Sequence, residues 1–277
     1  MRAAAVQLQS STDTEQNLAS AERHTRAAVA EGAELVVLPE RLDIRGAAGD
    51  YRAGAEPLDG RPITWARELA RELGIDLVAG SVAERRGGRE RVSNTSVHVG
   101  PDGEVRAVYR KIHMFDIEVD GVVYRESQHS EPAAEIVLSE TANGVGLGLT
   151  ICYDLRFPEL YRILALRGAR VITVPANFTR VTGEAHWEVL LRARAIENQV
   201  FVIAPGQGRR PGPEGDSYGN SMIVDPWGEV LARAPVEGAC FIAAELDLDR
   251  QDEVREKLPS LANRVGAAYK WPHEVTA

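Results

Sequence analysis

The sequence predicts an α/β fold in which two β-sheets stack face to face and helices cover both outer faces, a four-layer αββα sandwich. Helical patterns alternate with short apolar runs in both halves of the chain, which is typical of strands buried between layers. Hairpins are added to this alternation. No Ser/Gly linker or charge run divides the 277 residues, so a single domain over 1–277 is predicted.

The first half shows the alternation of helix and strand most clearly. Asp13 is a suitable helix cap, Pro62 suits a first helical turn, and Gly32 and Gly74 are suitable stops. Pro101-Asp102-Gly103 is typical of a hairpin turn. The predicted elements are an amino-terminal strand within 1–9, a helix from Asp13 to Ala30, a strand at 35–38, a helix from Pro62 to Leu73, a strand at 75–79 and a hairpin of 94–99 with 104–110.

The second half repeats the pattern after an apolar run that ends at Cys152. Pro158 opens a helix that Gly168 ends, and no helix or strand is obvious in 116–130. The loop at 208–215 is rich in Pro and Gly and is predicted to be a local excursion. The predicted elements are a helix at 158–167, a strand at 170–174, a helix at 186–198, a strand at 200–204, a hairpin of 221–224 with 229–232, a strand at 240–246 and a short helix near 251–257.

Composition and charge exclude several classes of partner. The net charge of −9 is spread without long blocks, which argues against nucleic acid and anionic membranes. No segment approaches the length of a membrane span, and the first residues alternate like a strand rather than a signal peptide. Cys152 and Cys240 follow no disulfide or metal-ligand spacing, so a cytoplasmic location is predicted.

Cys152 is the leading candidate for a catalytic residue. The apolar run from Val145 to Ile151 ends abruptly at the thiol, as expected for a strand that enters a sharp turn and then a helix. Such a turn lifts a nucleophile out of the sheet beside backbone N–H groups, which favour a thiolate and later bind an oxyanion. The N–H of Tyr153 is the predicted oxyanion donor.

Two other predicted strand ends supply a carboxylate, Glu40, and an amine, Lys111. Hydrolysis of an unactivated amide needs a nucleophile, a group that moves protons and a donor for the tetrahedral oxyanion. Cys152 can attack, and Glu40 can carry the proton to the departing ammonia and later activate water. Lys111 can hold the oxyanion, in a chain whose basic residues are almost all arginine.

Glu126 has two possible interpretations. It lies in the irregular stretch 116–130, and loops of that kind often carry site residues. As a second carboxylate it would keep Lys111 charged by favouring the ammonium form. As an ordinary surface residue it would be a solvated glutamate.

Arg156 also has two possible interpretations. It lies four residues beyond Cys152, so the two side chains share one face if a helix begins at the turn. There it would bind a substrate carboxylate with its planar guanidinium. The alternative is an ion pair with Asp154 or Glu159.

These motifs resemble the nitrilase superfamily of carbon–nitrogen hydrolases over nearly the whole chain. The Glu, Lys and Cys motifs stand in the family's order. Further similarity, to the branch with omega-amidases and deaminated glutathione amidases, lies downstream of the cysteine. The motifs are Leu38-Pro39-Glu40, Tyr109-Arg110-Lys111 with Phe115-Asp116, the stretch from Ile151 to Glu159, the stretch from Thr182 to Asn198, and the stretch from Val224 to Gly228.

The resemblance implies an αββα sandwich that needs no metal or other cofactor and assembles as a homodimer or larger oligomer. It implies a catalytic triad of Glu40, Lys111 and Cys152. Its further implications are that Glu126 is an accessory carboxylate, that Phe178 and Thr182 line the pocket, and that Arg156 meets a substrate carboxylate. The sequence departs from the usual family residues at positions that bear on the substrate, namely Arg41, Arg45, Asn177 and Asn220.

The leading hypothesis is an amidase that releases ammonia from a small linear carboxylate-bearing amide through a cysteine thioester. The runner-up keeps the triad but takes a nitrile, an N-carbamoyl compound or a neutral aliphatic amide. A non-catalytic scaffold on this fold is a third hypothesis, although a scaffold would not need three reactive groups at strand ends. A metal hydrolase is disfavoured because the histidines never pair at ligand spacing.

One predicted helix, 186–198, has two possible roles for its apolar side chains. They can form a dimer face, or they can pack in the core of a single subunit. The residues concerned are Trp187, Leu190, Leu191, Arg194 and Ile196.

Overall fold

The computed structural model describes residues 1–210 and 216–269, so most of the predicted loop 208–215 lies outside the described residues. In chain order the strands are β1 (Arg2–Gln7), β2 (Leu35–Val37), β3 (Asp76–Val78), β4 (Val82–Glu84), β5 (Ser93–Val99), β6 (Val105–Arg110), β7 (Asp116–Val119), β8 (Val122–Arg125), β9 (Leu138–Glu140), β10 (Gly146–Leu149), β11 (Val171–Thr173), β12 (Phe201–Ala204), β13 (Met222–Val224), β14 (Val230–Arg233) and β15 (Cys240–Glu245). The helices are α1 (Thr14–Ala30), α2 (Ala48–Gly54), α3 (Arg61–Leu73), α4 (Pro158–Leu166), α5 (Arg180–Thr182), α6 (Glu188–Asn198) and α7 (Leu248–Lys257), with 3-10 turns at Glu126–Gln128, Cys152–Arg156 and Gly266–Ala268 and a π turn at Gly183–Trp187.

The strands form two large sheets. The first has the order β15-β1-β2-β3-β5-β4, with β6 paired to β5, and the second has the order β14-β13-β12-β11-β10-β9. In each sheet three central strands are parallel, β1 to β3 in the first and β10 to β12 in the second. Parallel strands bring their carboxyl ends to one edge, which is where residues following β2 and β10 are expected to meet.

The core lies between the sheets and under the helices. Alternate residues of β1 point to opposite sides, as the period of a strand requires. Ala3 and Ala5 join the core that the first sheet shares with the second, whereas Ala4 and Val6 join the core beneath α1 and α3. Helices α4 and α6 cover the outer face of the second sheet. The predicted four-layer αββα sandwich is therefore confirmed.

Buried polar residues also tie the two sheets together at the amino end of β3, away from the carboxyl ends of the parallel strands. His98 on β5 places Nε2 3.1 Å from Asp76 Oδ1 on β3, and its Nδ1 lies 2.8 Å from Ser139 Oγ on β9. All three side chains are buried. Each link satisfies a polar group that would otherwise be buried without a partner, so the set stabilises the stacking of the sheets.

The caps that predicted the first helices are present. The Asp13 side chain accepts a hydrogen bond of 3.0 Å from the backbone N–H of Gln16 at the start of α1. Gly74 ends α3 in the left-handed region with φ 66°, a conformation that glycine adopts without strain. The helix predicted at 186–198 begins at Glu188, and helical turns lead into it from Arg180.

The prediction that 116–130 is irregular was wrong. Strands β7 and β8 pair as an antiparallel hairpin that joins neither large sheet. Val122 and Val123 at its end are 49% and 54% exposed. The sequence does carry a hairpin signal here, since Asp116-Ile117-Glu118-Val119 alternates polar and apolar residues and Asp120-Gly121 follows as a turn with φ 51° and 73°. The 3-10 turn that follows carries Glu126.

The helix after Cys152 does not begin at the turn. Cys152–Arg156 is a 3-10 turn, Phe157 is extended with φ −108° and ψ 90°, and α4 begins at Pro158. The residue before a proline is driven out of the helical region by the proline ring, which separates the two segments. Cys152 and Arg156 therefore do not share one face of an α-helix, as they would if a helix began at the turn.

Helix α6 and the π turn before it bury three of the five side chains that had two possible roles, and Leu190 is half-buried. Trp187, Leu191 and Arg194 are buried within one subunit, and the indole N–H of Trp187 donates to the Asn220 carbonyl at 2.8 Å. Ile196 is exposed. Core packing therefore accounts for the buried members of this set.

Candidate active site

Three strand ends bring a carboxylate, an amine and a thiol together at one edge of the sandwich. Glu40 follows β2, Lys111 follows β6 directly, and Cys152 follows β10. Lys111 Nζ donates to Glu40 Oε1 at 3.2 Å. The Cys152 thiol interacts with the Glu40 carboxylate and lies in the field of the Lys111 ammonium. The structure therefore joins the three residues that the sequence motifs single out.

Glu126 completes the surroundings of the ammonium. Its Oε2 accepts hydrogen bonds of 2.8 Å from Lys111 Nζ and of 2.8 Å from the backbone N–H of Phe115. It is 5% exposed, which excludes the solvated glutamate that the sequence left open. The Asn94 amide donates to Glu40 Oε1 at 2.8 Å and to Glu126 Oε1 at 3.3 Å, so one side chain holds both carboxylates in place.

The charges in this cluster stabilise one another against burial. Burial lowers the pKa of Lys111, but the nearby Glu126 and Glu40 carboxylates outweigh it and raise that pKa above its ordinary value. Burial raises the pKa of Glu126, but Lys111 and Arg41 more than offset it and bring the pKa to about 2. Lys111 and Glu126 are therefore both charged at neutral pH.

Cys152 is held as a neutral thiol at rest. Burial, followed by the Glu40 carboxylate, raises the pKa of the thiol well above its ordinary value, and the Lys111 ammonium offsets only part of this. The backbone N–H of Asn177 lowers the pKa of the thiol, in the direction expected of neighbouring N–H groups, but burial and the Glu40 carboxylate outweigh it. The proton has an acceptor at hand in Glu40, whose second oxygen is held at 2.7 Å by the backbone N–H of Asn177.

The turn at Cys152 is strained, and one of its backbone donors already has an acceptor. Cys152 has φ 48°, a conformation that a non-glycine residue adopts only when its surroundings hold it there. Its own N–H donates to the Pro175 carbonyl at 2.9 Å and so is already engaged. The N–H of Tyr153, the next residue along the turn, and the Lys111 ammonium stay the predicted oxyanion donors.

A cleft of about 510 Å³ opens onto this cluster. Phe178 and Thr182, predicted to line the pocket, do line it, and so does Tyr153. The end of the β7–β8 hairpin, from Val122 to Arg125, forms another side of the cleft. The hairpin therefore forms part of the cleft wall, and the 3-10 turn that follows it carries Glu126.

Arg156 lies outside the cleft lining. Its guanidinium stands 5.3 Å from the centre of the Phe178 ring and 5.8 Å from that of Tyr153, and Nη1 is 3.3 Å from His186 Nδ1. Among the described residues it makes no ion pair, so neither the predicted pair with Asp154 nor that with Glu159 is present. Arg156 therefore lies beside two aromatic side chains that line the cleft.

The four departures from the family pattern fall into two groups. Arg41 and Asn177 line the cleft, and Arg41 stacks on Tyr51 at 3.7 Å with Nη2 3.5 Å from Glu126 Oε1. Arg45 and Asn220 do not line it; Arg45 donates to the Arg210 carbonyl at 3.0 Å and Asn220 to the Tyr218 carbonyl at 3.0 Å. Of these four residues, only Arg41 and Asn177 therefore shape the cleft in which a substrate would bind.

Sequence reasoning missed the residues that support the cluster. Asn94 was assigned only to a strand, although three further polar residues around it, Ser93, Thr95 and Ser96, are buried in the same strand β5. A polar run inside a predicted buried strand is a usable signal, since buried polar groups require partners. Asp154 was considered only as a partner for Arg156.

The described residues contain neither a membrane-spanning helix nor a cluster of metal ligands. No helix in 1–210 or 216–269 is long and apolar enough to cross a membrane. Across the same residues, no three His, Cys, Asp or Glu side chains form a group that could hold a metal ion.

Comparisons with known proteins agree with this geometry. Residues 2–256 match the family model described as carbon-nitrogen hydrolase. The chain is 39% identical to an omega-amidase from Pongo abelii (93% of this chain, 92% of the relative) and 40% identical to a deaminated glutathione amidase from Synechocystis sp. PCC 6803 (95% and 97%). The crystal structure of Nit3 from Saccharomyces cerevisiae, a member of the nitrilase superfamily, superposes with a TM-score of 0.87 at 30% identity over 97% of each chain. This chain belongs to the carbon-nitrogen hydrolase family, and it is a hydrolase that acts on carbon–nitrogen bonds other than peptide bonds.

Proposed function

We propose that the chain is an amidase that releases ammonia from a small linear amide bearing a carboxylate. The observation that carries the proposal is the buried Lys111 ammonium, which is hydrogen-bonded to Glu40 and Glu126 beside the Cys152 thiol. This arrangement supplies a nucleophile, a base and a fixed positive charge beside one cleft, as amide hydrolysis requires.

The reaction proceeds in two halves. Glu40 takes the thiol proton as Cys152 Sγ attacks the amide carbon, and the developing oxyanion is stabilised by Lys111 and the N–H of Tyr153. The intermediate collapses when Glu40 gives the proton to the departing nitrogen, which leaves as ammonia and leaves a thioester. Glu40 then takes a proton from water, whose oxygen attacks the thioester carbonyl. The acid departs and the returned proton restores the thiol.

Glu126 acts in this scheme without exchanging a proton. With its pKa at about 2 it stays ionised, and it keeps Lys111 charged and aimed at the oxyanion position. Glu40 also accepts a hydrogen bond from the ammonium, but it is the carboxylate next to the thiol. Glu126 therefore holds the charge on Lys111, whereas Glu40 transfers the proton.

The carboxylate-bearing substrate is supported by the names of two relatives and by the basic side chains of Arg41 and Arg125 in the cleft lining. Arg156 is the proposed carboxylate contact, reached at the side of the cleft where Phe178 lies. The second candidate is a nitrile, an N-carbamoyl compound or a neutral aliphatic amide, because the same four residues would process each of them.

Ammonia release from a panel of substrates tests the proposal. The panel contains 2-oxoglutaramate, deaminated glutathione, glutamine, N-carbamoyl amino acids, aliphatic amides and nitriles. We expect turnover of the carboxylate-bearing amides and a fall in kcat/KM of about 10-fold or more for them in Arg156→Ala, with neutral amides unaffected. Arg23→Ala, on the exposed side of α1, is the matched control and is expected to change neither class.

Two outcomes of this experiment would contradict parts of the proposal. Turnover confined to nitriles, N-carbamoyl compounds or neutral amides would replace the substrate class but keep the chemistry. Equal losses for charged and neutral substrates in Arg156→Ala would remove Arg156 from carboxylate binding.

We also propose that the enzyme works in the cytoplasm as a homodimer or larger homo-oligomer. Both cysteines are free thiols, which suits a reducing compartment. Val189 and Ile196 on α6 and Trp227 in the turn after β13 are exposed apolar side chains, with 66%, 46% and 59% exposed. Sedimentation at micromolar concentration is expected to show a dimer or larger species, and a pure monomer would contradict this.

A further inference from the structure

Asp154 is a fully buried carboxylate that the reaction scheme does not use. Its Oδ2 accepts hydrogen bonds from the Tyr109 hydroxyl at 2.6 Å and from the backbone N–H of Ile151 at 2.8 Å. Its Oδ1 accepts one from the backbone N–H of His113 at 3.2 Å and lies 2.7 Å from His113 Nδ1. All four contacts reach one side chain, which makes Asp154 the centre of a closed polar network.

The donors come from the two segments that carry the amine and the thiol. Tyr109 and His113 stand two residues before and two residues after Lys111, so both flanks of the lysine are attached to Asp154. Ile151 stands directly before Cys152. The first segment spans the end of β6 in the first sheet, and the second follows β10 in the second sheet. Asp154 therefore links the two sheets at the point where their catalytic groups meet.

The thiol depends on this link because its backbone is strained. Cys152 has φ 48°, and a residue in that conformation is kept there by its neighbours. The N–H of Asp154 donates to the Ile151 carbonyl at 3.1 Å, while the Asp154 carboxylate accepts from the Ile151 N–H. These reciprocal bonds close the turn around the cysteine on its amino-terminal side.

We propose that Asp154 is a positioning residue that sets the Cys152 thiol against the Lys111 ammonium. It touches neither the thiol nor the ammonium and lies outside the cleft lining. The measurement of kcat rests on the proposed amidase function. The reactivity of the Cys152 thiol does not, because alkylation can be measured without any amide substrate. The competing explanation is that Asp154 contributes stability alone.

The test uses Asp154→Asn, which keeps the size of the side chain. One of its two acceptor oxygens becomes an amide nitrogen, so at least one pair of donors loses its acceptor. We expect kcat to fall about 100-fold with KM within about threefold of the parent, since a displacement of about 1 Å costs that much. In a Cys240→Ser background, where Cys152 is the only thiol, alkylation by iodoacetamide is expected to slow about 10-fold.

Asp76→Asn is the matched control. Asp76 is also a buried carboxylate that links the two sheets, through His98 and Ser139, but it lies outside the cleft. We expect it to lower the midpoint of thermal unfolding while kcat per folded molecule and the alkylation rate stay within twofold of the parent. This variant separates the effect of losing a buried carboxylate from the effect of moving the thiol.

The outcomes decide between positioning and stability. Parent-like kcat and alkylation in Asp154→Asn, or equal losses in Asp76→Asn, would overturn the proposal. If Asp154→Asn does not fold, Tyr109→Phe removes one donor and keeps the carboxylate, with kcat expected to fall about 10-fold; an unchanged kcat there would also overturn it. Should the parent release no ammonia from any substrate, the proposed function fails, while the alkylation rates still decide the role of Asp154.

Discussion

Cys152→Ala is expected to lower ammonia release by at least about 10⁴-fold on every substrate that the parent turns over. The reason is that the scheme has one nucleophile, since Glu126 is held by Lys111 and the Phe115 N–H and Glu40 is needed for the proton. The measurement is ammonia production under single-turnover conditions, together with the mass of the intact protein. The parent is expected to gain the mass of an acyl group during turnover, and the variant is not.

The control for this substitution is Cys240→Ala. Cys240 begins β15 at the far side of the first sheet and lies outside the cleft, so its removal is expected to leave kcat within twofold of the parent. The unfolding free energy of Cys152→Ala is expected to stay within about 1 kcal/mol of the parent, which keeps loss of fold from explaining loss of activity. Persistent ammonia release by a folded Cys152→Ala protein would contradict a cysteine mechanism.

Lys111→Met is expected to damage both activity and stability. The loss of the oxyanion donor should lower kcat by about 10²- to 10³-fold. The methionine also leaves Glu40 and Glu126 buried without the ammonium that both of them bind, and breaking a buried ion pair from one side costs about 3–5 kcal/mol. Denaturant unfolding measures the second effect. Lys257→Met, at an exposed position in α7, is the matched control and is expected to change neither quantity.

The stability loss in Lys111→Met is expected to depend on pH. In the parent the pKa of Glu126 falls from its ordinary 4.5 to about 2, so its pairing stabilises the fold above about pH 4.5 and that contribution fades as the pH falls towards 2. In the variant a protonated Glu126 is easier to bury than a charged one. The difference between parent and variant is therefore expected to be largest at neutral pH and to shrink in acid. A pH-independent difference would show that Lys111 does not stabilise the ionised Glu126.

Some elements were predictable because their signals are local. Asp13 and Gly74 mark helix ends through bonds and backbone angles that involve residues within one turn, and those ends are where the caps predict them. The β7–β8 hairpin also has a local signal, which was overlooked. Asp116 to Val119 alternates polar and apolar residues, and Asp120-Gly121 forms the turn that lets the two strands pair.

The sequence by itself determined the αββα sandwich and the identities of Glu40, Lys111 and Cys152. The reason is that apolar runs, turn residues and strand ends are recognised from residues close together in the chain. Tertiary structure alone decided how those groups behave. Asn94 bridges two carboxylates, Asp154 links the segments around Lys111 and Cys152, and Arg156 lies beside the Phe178 ring. Desolvation and hydrogen bonding between segments far apart in the chain set the protonation of Cys152 and Glu126, and such terms exist only once the two sheets have packed.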